Sequence, residues 1–309
     1  MTSTAHIRCG DDLRDLLPRA GHDGAYLPIA DPVCVGAVSD DELMAYLGLR
    51  ARVIALHAGV DGQEARLRLG REYMALNGLA RFDRVLLWFE HDLWDQACLI
   101  RVLSLLADRA SAAGAPLADR LFLMPADGRR PFAHLAVEEL AALQPVPLGA
   151  LQLQAGAEAW AAFASPDPTA LDRLSRRASP LPHLAAAMRR HLKDLPWRAD
   201  GLALTERLLL RAVADGAADE AAVLRALLAA DPVFHVTDLI VREVAQRLAT
   251  GPHRLITREA PWRLTERGAA VLAGEAKHRP APRFQGAVMV GPDPLWWWDP
   301  RAAGVHHAA

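Results

Sequence analysis

Cysteine is scarce in this chain. Cys9, Cys34 and Cys98 are the only three in 309 residues, and they form no Cys-x-x-Cys pair. An odd, scattered set excludes a disulfide framework and the common structural zinc spacings, and it fits a reducing cytoplasm. Long apolar runs are lacking too: charge breaks each one well short of the ~18 residues that a membrane helix needs. The opening Met1-Thr2-Ser3-Thr4-Ala5-His6 has no basic stretch feeding an apolar one, so no signal peptide is expected. Nor is there an excess of charge. A formal net charge of -2 gives no global pull toward nucleic acid or anionic lipid. Several catalytic signatures are also missing. No Gly-x-x-x-x-Gly-Lys-Ser/Thr loop, Gly-x-Gly-x-x-Gly turn after the first strand, Gly-x-Ser-x-Gly elbow or His-Glu-x-x-His occurs. An ATPase, a nicotinamide enzyme, a serine hydrolase and a zincin are all disfavoured.

What is present is enough apolar material for a full core, 52% of residues, rich in alanine and leucine. The length suits two domains with a connector. Residues 5–9 read as a first strand, followed by Gly10-Asp11-Asp12 and a helix in which Asp11 is the natural N-cap. A second strand near Ala25–Ile29 contains Pro28, which suits an edge. Ser39-Asp40-Asp41-Glu42 has the spacing of a capping box and predicts a helix through Met44, Leu47 and Leu49. A further helix is expected from Gln63 to Leu76.

Residues 84–89 are the clearest strand. Val85, Leu87 and Phe89 point one way, Leu86 and Trp88 the other, so both faces are apolar and the strand belongs inside a sheet covered on both sides. A long helix then runs from Asp92 to about Ala113, ended by Gly114 and Pro116, and Arg120–Met124 forms another strand. Strand, helix, strand in this order implies parallel pairing. The fold class expected is α/β, with an N-terminal parallel-sheet, Rossmann-like domain over residues 1–130. A Pro-punctuated helical connector follows at 131–195.

Residues 196–280 read as three helices, a short hairpin and a last helix at 266–273, a winged-helix-like outline. Leu-Thr-Glu-Arg occurs at both 204 and 264, where each Thr should cap a helix. Residues 281–309 form a Pro/Trp-rich tail. Its Trp296-Trp297-Trp298 is expected to pack on a neighbouring element, and its end at His306-His307 to be loose.

The run Trp88-Phe89-Glu90-His91-Asp92-Leu93-Trp94-Asp95-Gln96 closely resembles the hallmark segment of the bacterial family known as domain of unknown function 1835. His6-Ile7-Arg8-Cys9-Gly10-Asp11 looks like that family's opening segment. Leu181-Pro182-His183-Leu184, Arg189-Arg190-His191-Leu192 and residues 201–207 look like its companion C-terminal half. The resemblance covers most of residues 5–275. It implies this domain layout and a cytosolic bacterial protein, and it assigns no catalytic residue.

In open parallel sheets ligands bind beyond the carboxyl ends of the strands. Asp11 and Asp12 follow the first strand, Asp31 the second, and Glu90, His91 and Asp92 the central one. Glu90, His91 and Asp92 are therefore candidate catalytic residues. Gly10, Asp11, Asp12, Asp31, Asp95, Gln96, Arg68 and Arg71 are candidate ligand-binding residues, and Asp11, Glu90 and Asp92 candidate ligands for Mg²⁺ or Mn²⁺. Asp11 and Asp92 have an alternative use as helix caps, and Asp95 as a first-turn partner of the helix dipole. Glu90 and His91 have none. Cys9 reads as core, and His183 and His191 as structural.

Three functions follow. The first is a protein that binds a small polar or phosphorylated ligand in the α/β domain and relays it, through the winged-helix-like domain, to a protein partner or a second copy. The second is a metal-dependent phosphoester hydrolase. The third is a DNA-binding regulator, disfavoured because residues 196–280 hold 12 Arg and Lys against 11 Asp and Glu.

Overall fold

Short apolar strands followed by helices build a five-stranded sheet in the N-terminal half of the protein. The computed structural model describes residues 2–113 and 117–308. Strands β1 (Thr4–Arg8), β2 (Ala25–Pro28), β3 (Arg84–Trp88), β4 (Leu121–Leu123) and β5 (Val146–Pro147) take the order β2-β1-β3-β4-β5. β1 is parallel to β2 and β3, and β3 is parallel to β4. β5, too short to leave a sequence pattern, adds an antiparallel edge. β2 is the other edge, as Pro28 suggested. The chain moves from β1 to β2, then returns past β1 to β3, which places the switch point of the sheet between β1 and β3.

Helices cover both faces. α1 (Leu16–Arg19) lies on one with Leu86, Trp88, Met124 and Phe132. α2 (Leu43–Ala58), α3 (Gly62–Ala75) and α4 (Leu93–Ala113) cover the other, against Ile7, Val85, Leu87 and Phe89. The two faces of β3 divide as its alternation predicts. Gly114 and Pro116, expected to end α4, lie outside the described residues. α5 (Val137–Ala142), α6 (Ala150–Phe163), α7 (Thr169–Ser175) and α8 (Leu184–Leu192) follow, and α6 and α8 pack on α4.

The C-terminal half holds α9 (Leu204–Ala214), α10 (Glu220–Ala230) and α11 (Asp238–Ala249). The antiparallel pair β6 (Ile256–Thr257) and β7 (Arg263–Leu264) and the helix α12 (Glu266–Ala273) complete it. Asp219 and Thr237 cap α10 and α11 through their side chains, as does Thr265 for α12. One apolar cluster runs without a break from β1 to Trp298, across every boundary expected between domains. Among the described residues no helix is long and apolar enough to cross a membrane.

Four local expectations are corrected. Asp11 does not cap α1: its carboxylate accepts from the Arg14 guanidinium instead, because the turn after β1 delays the helix to Leu16. The capping box at Ser39 does not form; α2 starts at Leu43, and the Asp40 carboxylate accepts from the Trp160 indole at 2.8 Å. Thr205 does not cap α9, which begins one residue earlier, and its hydroxyl and N–H donate to Asp194. The tail is not loose. β8 (Arg283–Gln285) pairs with β9 (Val288–Val290), and β10 (Trp296–Asp299) pairs with β11 (Gly304–His307). Trp298 is buried, as expected of a packing residue, and exchanges backbone hydrogen bonds with Pro196 and Arg198.

Candidate functional site

The carboxyl ends of β1 and β3 meet at the switch point, and the side chains there form one knot. Arg8, the last residue of β1, is buried. Its Nε and Nη2 donate to Asp12 at 3.0 and 2.9 Å, and Nη2 also reaches Glu90 at 2.8 Å. Nη1 donates to the Trp88 carbonyl at 3.2 Å and pairs with Asp95. Glu90 accepts a second bond from the Phe132 N–H at 2.8 Å. Asp92 caps α4, accepting from the N–H groups of Trp94 and Asp95. Asp95 accepts from the Glu90 N–H, and the Gln96 side-chain amide donates to the Glu90 carbonyl. Gly10, at φ +94°, supplies the left-handed turn that leads out of β1, and its carbonyl accepts from the Tyr26 hydroxyl.

Three carboxylates thus meet one guanidinium, with Asp92 close beside them. Burial raises Glu90 to about 7, with Asp95 adding to the rise and Arg8 opposing it. Asp95 rises to about 7, again by burial first. Asp92 rises to about 6 through burial and the neighbouring Glu90. Burial opposes the charge of Arg8, yet Asp95, Asp12 and Glu90 hold its pKa well above the ordinary value. Glu90, Asp92 and Asp95 offer carboxylate oxygens within 4.8 Å of one another. That span matches the ~4–5 Å across a Mg²⁺ or Ca²⁺ sphere with bonds of ~2.0–2.6 Å. Asp95 stands in this group where the sequence pointed to Asp11, whose exposed side chain faces Arg14.

Asp31 is carried to a separate buried position. It accepts from Tyr46 at 2.6 Å, Tyr73 at 2.9 Å and Arg50 at 2.9 Å, so its acceptor capacity is used inside the core. Arg68 donates to the Ala30 carbonyl, and Arg71 is exposed on the same helix. His91 is half-buried beside His183, their ring centroids 6.0 Å apart, and burial lowers both pKa values. His191 is fully buried and lowered to about 3, and Cys9 is buried, so both are core residues as expected.

A second feature is open where the first is closed. A cavity of about 960 Å³ separates α2 from α11 and is bounded by β8. α2 contributes Val53, Leu56 and His57; α11 contributes Arg242, Glu243 and Arg247; β8 contributes Arg283 and Gln285. It reaches Leu93 at the start of α4, whose N–H donates to the Val233 carbonyl. One polar contact spans the cleft: His57 Nδ1 lies 2.8 Å from Glu243. Burial pushes the Glu243 pKa up, but His57 and Arg247 outweigh it and leave the group low. Arg283 is drawn below its ordinary value by burial. Arg242, Glu243, Gln246 and Arg247, on the polar face of α11, line the cavity, and Arg242 also pairs with Glu220 of α10.

Comparison with protein-family models and with curated proteins finds no match for this chain. The sequence brought out the Glu90–Gln96 run and the acids after β1. It gave no sign of Arg8 as their counter-charge, because an arginine ending a strand carries no signature, nor of His57 and Arg283, which meet α11 only through the tertiary fold.

Proposed function

We propose that this is a ligand-responsive protein whose small-molecule ligand occupies the cleft between α2 and α11. The observation that carries this reading is the cavity of about 960 Å³ lined from both halves of the chain, near the top of the ~300–1,000 Å³ range of small-molecule sites. The ligand site therefore moves from the strand ends, which Arg8 fills, to the neighbouring cleft. α9 to α11 with β6 and β7 are read as a winged-helix-like unit, and ligand in the cleft would touch its third helix directly. That gives a route to a protein partner or a second copy of the chain. DNA binding loses support, since the polar face of α11 borders the cleft. The resemblance to domain of unknown function 1835 stands as a proposal on the Glu90–Gln96 segment and names no ligand.

The test is a thermal-shift screen of polar metabolites on the native chain and on Ala58→Trp, which narrows the cleft from its exposed rim. Compounds that stabilise the native chain should lose most of that effect in the variant. Hits that act equally on both would overturn the cleft reading.

A second reading rests on the close approach of Glu90, Asp92 and Asp95: a divalent cation held there, serving phosphoester hydrolysis. Protons and cation compete for the same oxygens. Mg²⁺ or Mn²⁺ should therefore raise the melting temperature more at pH 8 than at pH 5.5, and Asp92→Asn should abolish the rise. No shift at either pH with either ion removes this reading.

A further inference from the structure

Resting on the cleft as the ligand site, we infer that its ligand is a small amphipathic anion, with a carboxylate or phosphate held by Arg283 and Arg258 and an apolar body lying against α2 and α11. Arg283 carries the point. Its Nη1 donates to the Gln285 amide oxygen at 2.9 Å and its Nη2 to the Asp194 carbonyl, both neutral acceptors. Its Nε is buried without a partner, and among the described residues no carboxylate lies within ion-pair distance of it. Glu206, Asp194 and Glu243 act on this guanidinium only from beyond ion-pair distance, so its buried Nε has room for a charged acceptor in direct contact. Arg247 beside it also has a buried, unpartnered Nε, as does Arg258 on the same cavity wall.

The pairing around the cavity shows which cations are open to a ligand. Arg190 holds Asp194 and Asp231, Arg242 pairs with Glu220 and Asp238, and Arg247 is held by Glu243 and Glu206. Among the described residues Arg258 and Arg283, on the same wall, pair with no carboxylate; Arg258 donates only to the Gln246 amide oxygen. Shape supplies the rest. Val53, Phe234 and Ile240 line the interior, while Leu56 and Phe284 stand exposed at its edge, 90% and 41% open to solvent. Exposed apolar side chains at a cavity mouth suit an apolar tail entering behind a charged head. Guanidinium suits both carboxylate and phosphate oxygens, so either head group fits.

The experiment uses the full chain with four matched probes: octanoate, octyl phosphate, octanol and octylammonium, measured by calorimetry and thermal shift. Octanoate and octyl phosphate should bind roughly tenfold or more tightly than octanol and octylammonium, the worth of a charge-assisted hydrogen bond. Arg283→Gln should remove that preference. Arg258→Gln, at the cavity wall and outside the core, gives the same reading with less risk to folding and should weaken octanoate severalfold. Equal binding of octanol and octanoate, blocked by Ala58→Trp, overturns the anion assignment and leaves the cleft reading standing. Failure of all four probes overturns the anion assignment as well, and the cleft reading then stands or falls on the metabolite screen.

Discussion

Arg8 neutralises part of an acidic site that would otherwise repel itself. Replacing it with Met leaves Glu90 and Asp95 buried without a counter-charge, a change of the kind that costs about 3–5 kcal/mol. Urea denaturation should show a loss of that size at pH 8 and a smaller one at pH 5, where the carboxyls can take up protons. The sign of the native pH dependence follows from the same groups. Glu90, Asp92 and Asp95 have folded-state pKa values of about 7, 6 and 7, above their unfolded ones. Between about pH 4 and pH 7 the folded chain therefore holds protons that the unfolded chain has released. Stability from this cluster is greatest at the acid end of that window and falls as pH rises through it. Glu90→Gln should accordingly gain about 1–3 kcal/mol over the native chain at pH 8 and little at pH 5, measured by paired denaturation curves. Of this site, the Glu90-His91-Asp92 run could be read directly, because a buried strand running into acids is conspicuous. Its neutralisation could not be read, because the pairing of Arg8 with Glu90 and Asp95 depends on how β1 and β3 align.

Between elements, α6 packs closely on α4 at Gly156. A Cβ built on Gly156 of α6 would overlap the Leu103 side chain of α4. Gly156→Ala gains helix propensity but must push the helices apart, and overpacking of this kind costs about 1–3 kcal/mol. A net loss in chemical denaturation is expected; a gain would mean that the two helices are free to slide. Helix existence was readable here from apolar periodicity, and the strand faces of β3 from strict alternation. Helix starts were less so. Asp219, Thr237 and Thr265 cap as their position suggests, while Asp11, Ser39 and Thr205 do not. Asp40 and Thr205 bond instead to Trp160 and Asp194 on other elements, while Asp11 is held by Arg14 three residues on.

The whole molecule is organised around the cleft rather than the sheet edge alone. His57 of α2 and Glu243 of α11 meet across it, a pair half open to water on the glutamate side. Such pairs are worth about 0–1 kcal/mol. Glu243→Gln should therefore barely move global stability, yet it should raise amide exchange in α11, where the two halves touch. Unchanged exchange in α11 would show that the apolar cluster alone fixes the two halves. None of this arrangement was visible along the chain. The residues that line the cleft are scattered from Cys34 to Gln285, and no local pattern links His57 to Glu243 or Ala37 to Gly286.

Residues 278–298 close a wall of that cavity and bond to the 196–202 stretch through Trp298 and His278. A premature stop codon after Arg279 would leave the whole sheet and α1 to α12 in place. It would delete Arg283 and Gln285, uncover Trp197 and leave the cavity open along one side. In genetic terms a stop within the codons for residues 280–298 should be tolerated no better than one within the segment encoding the sheet.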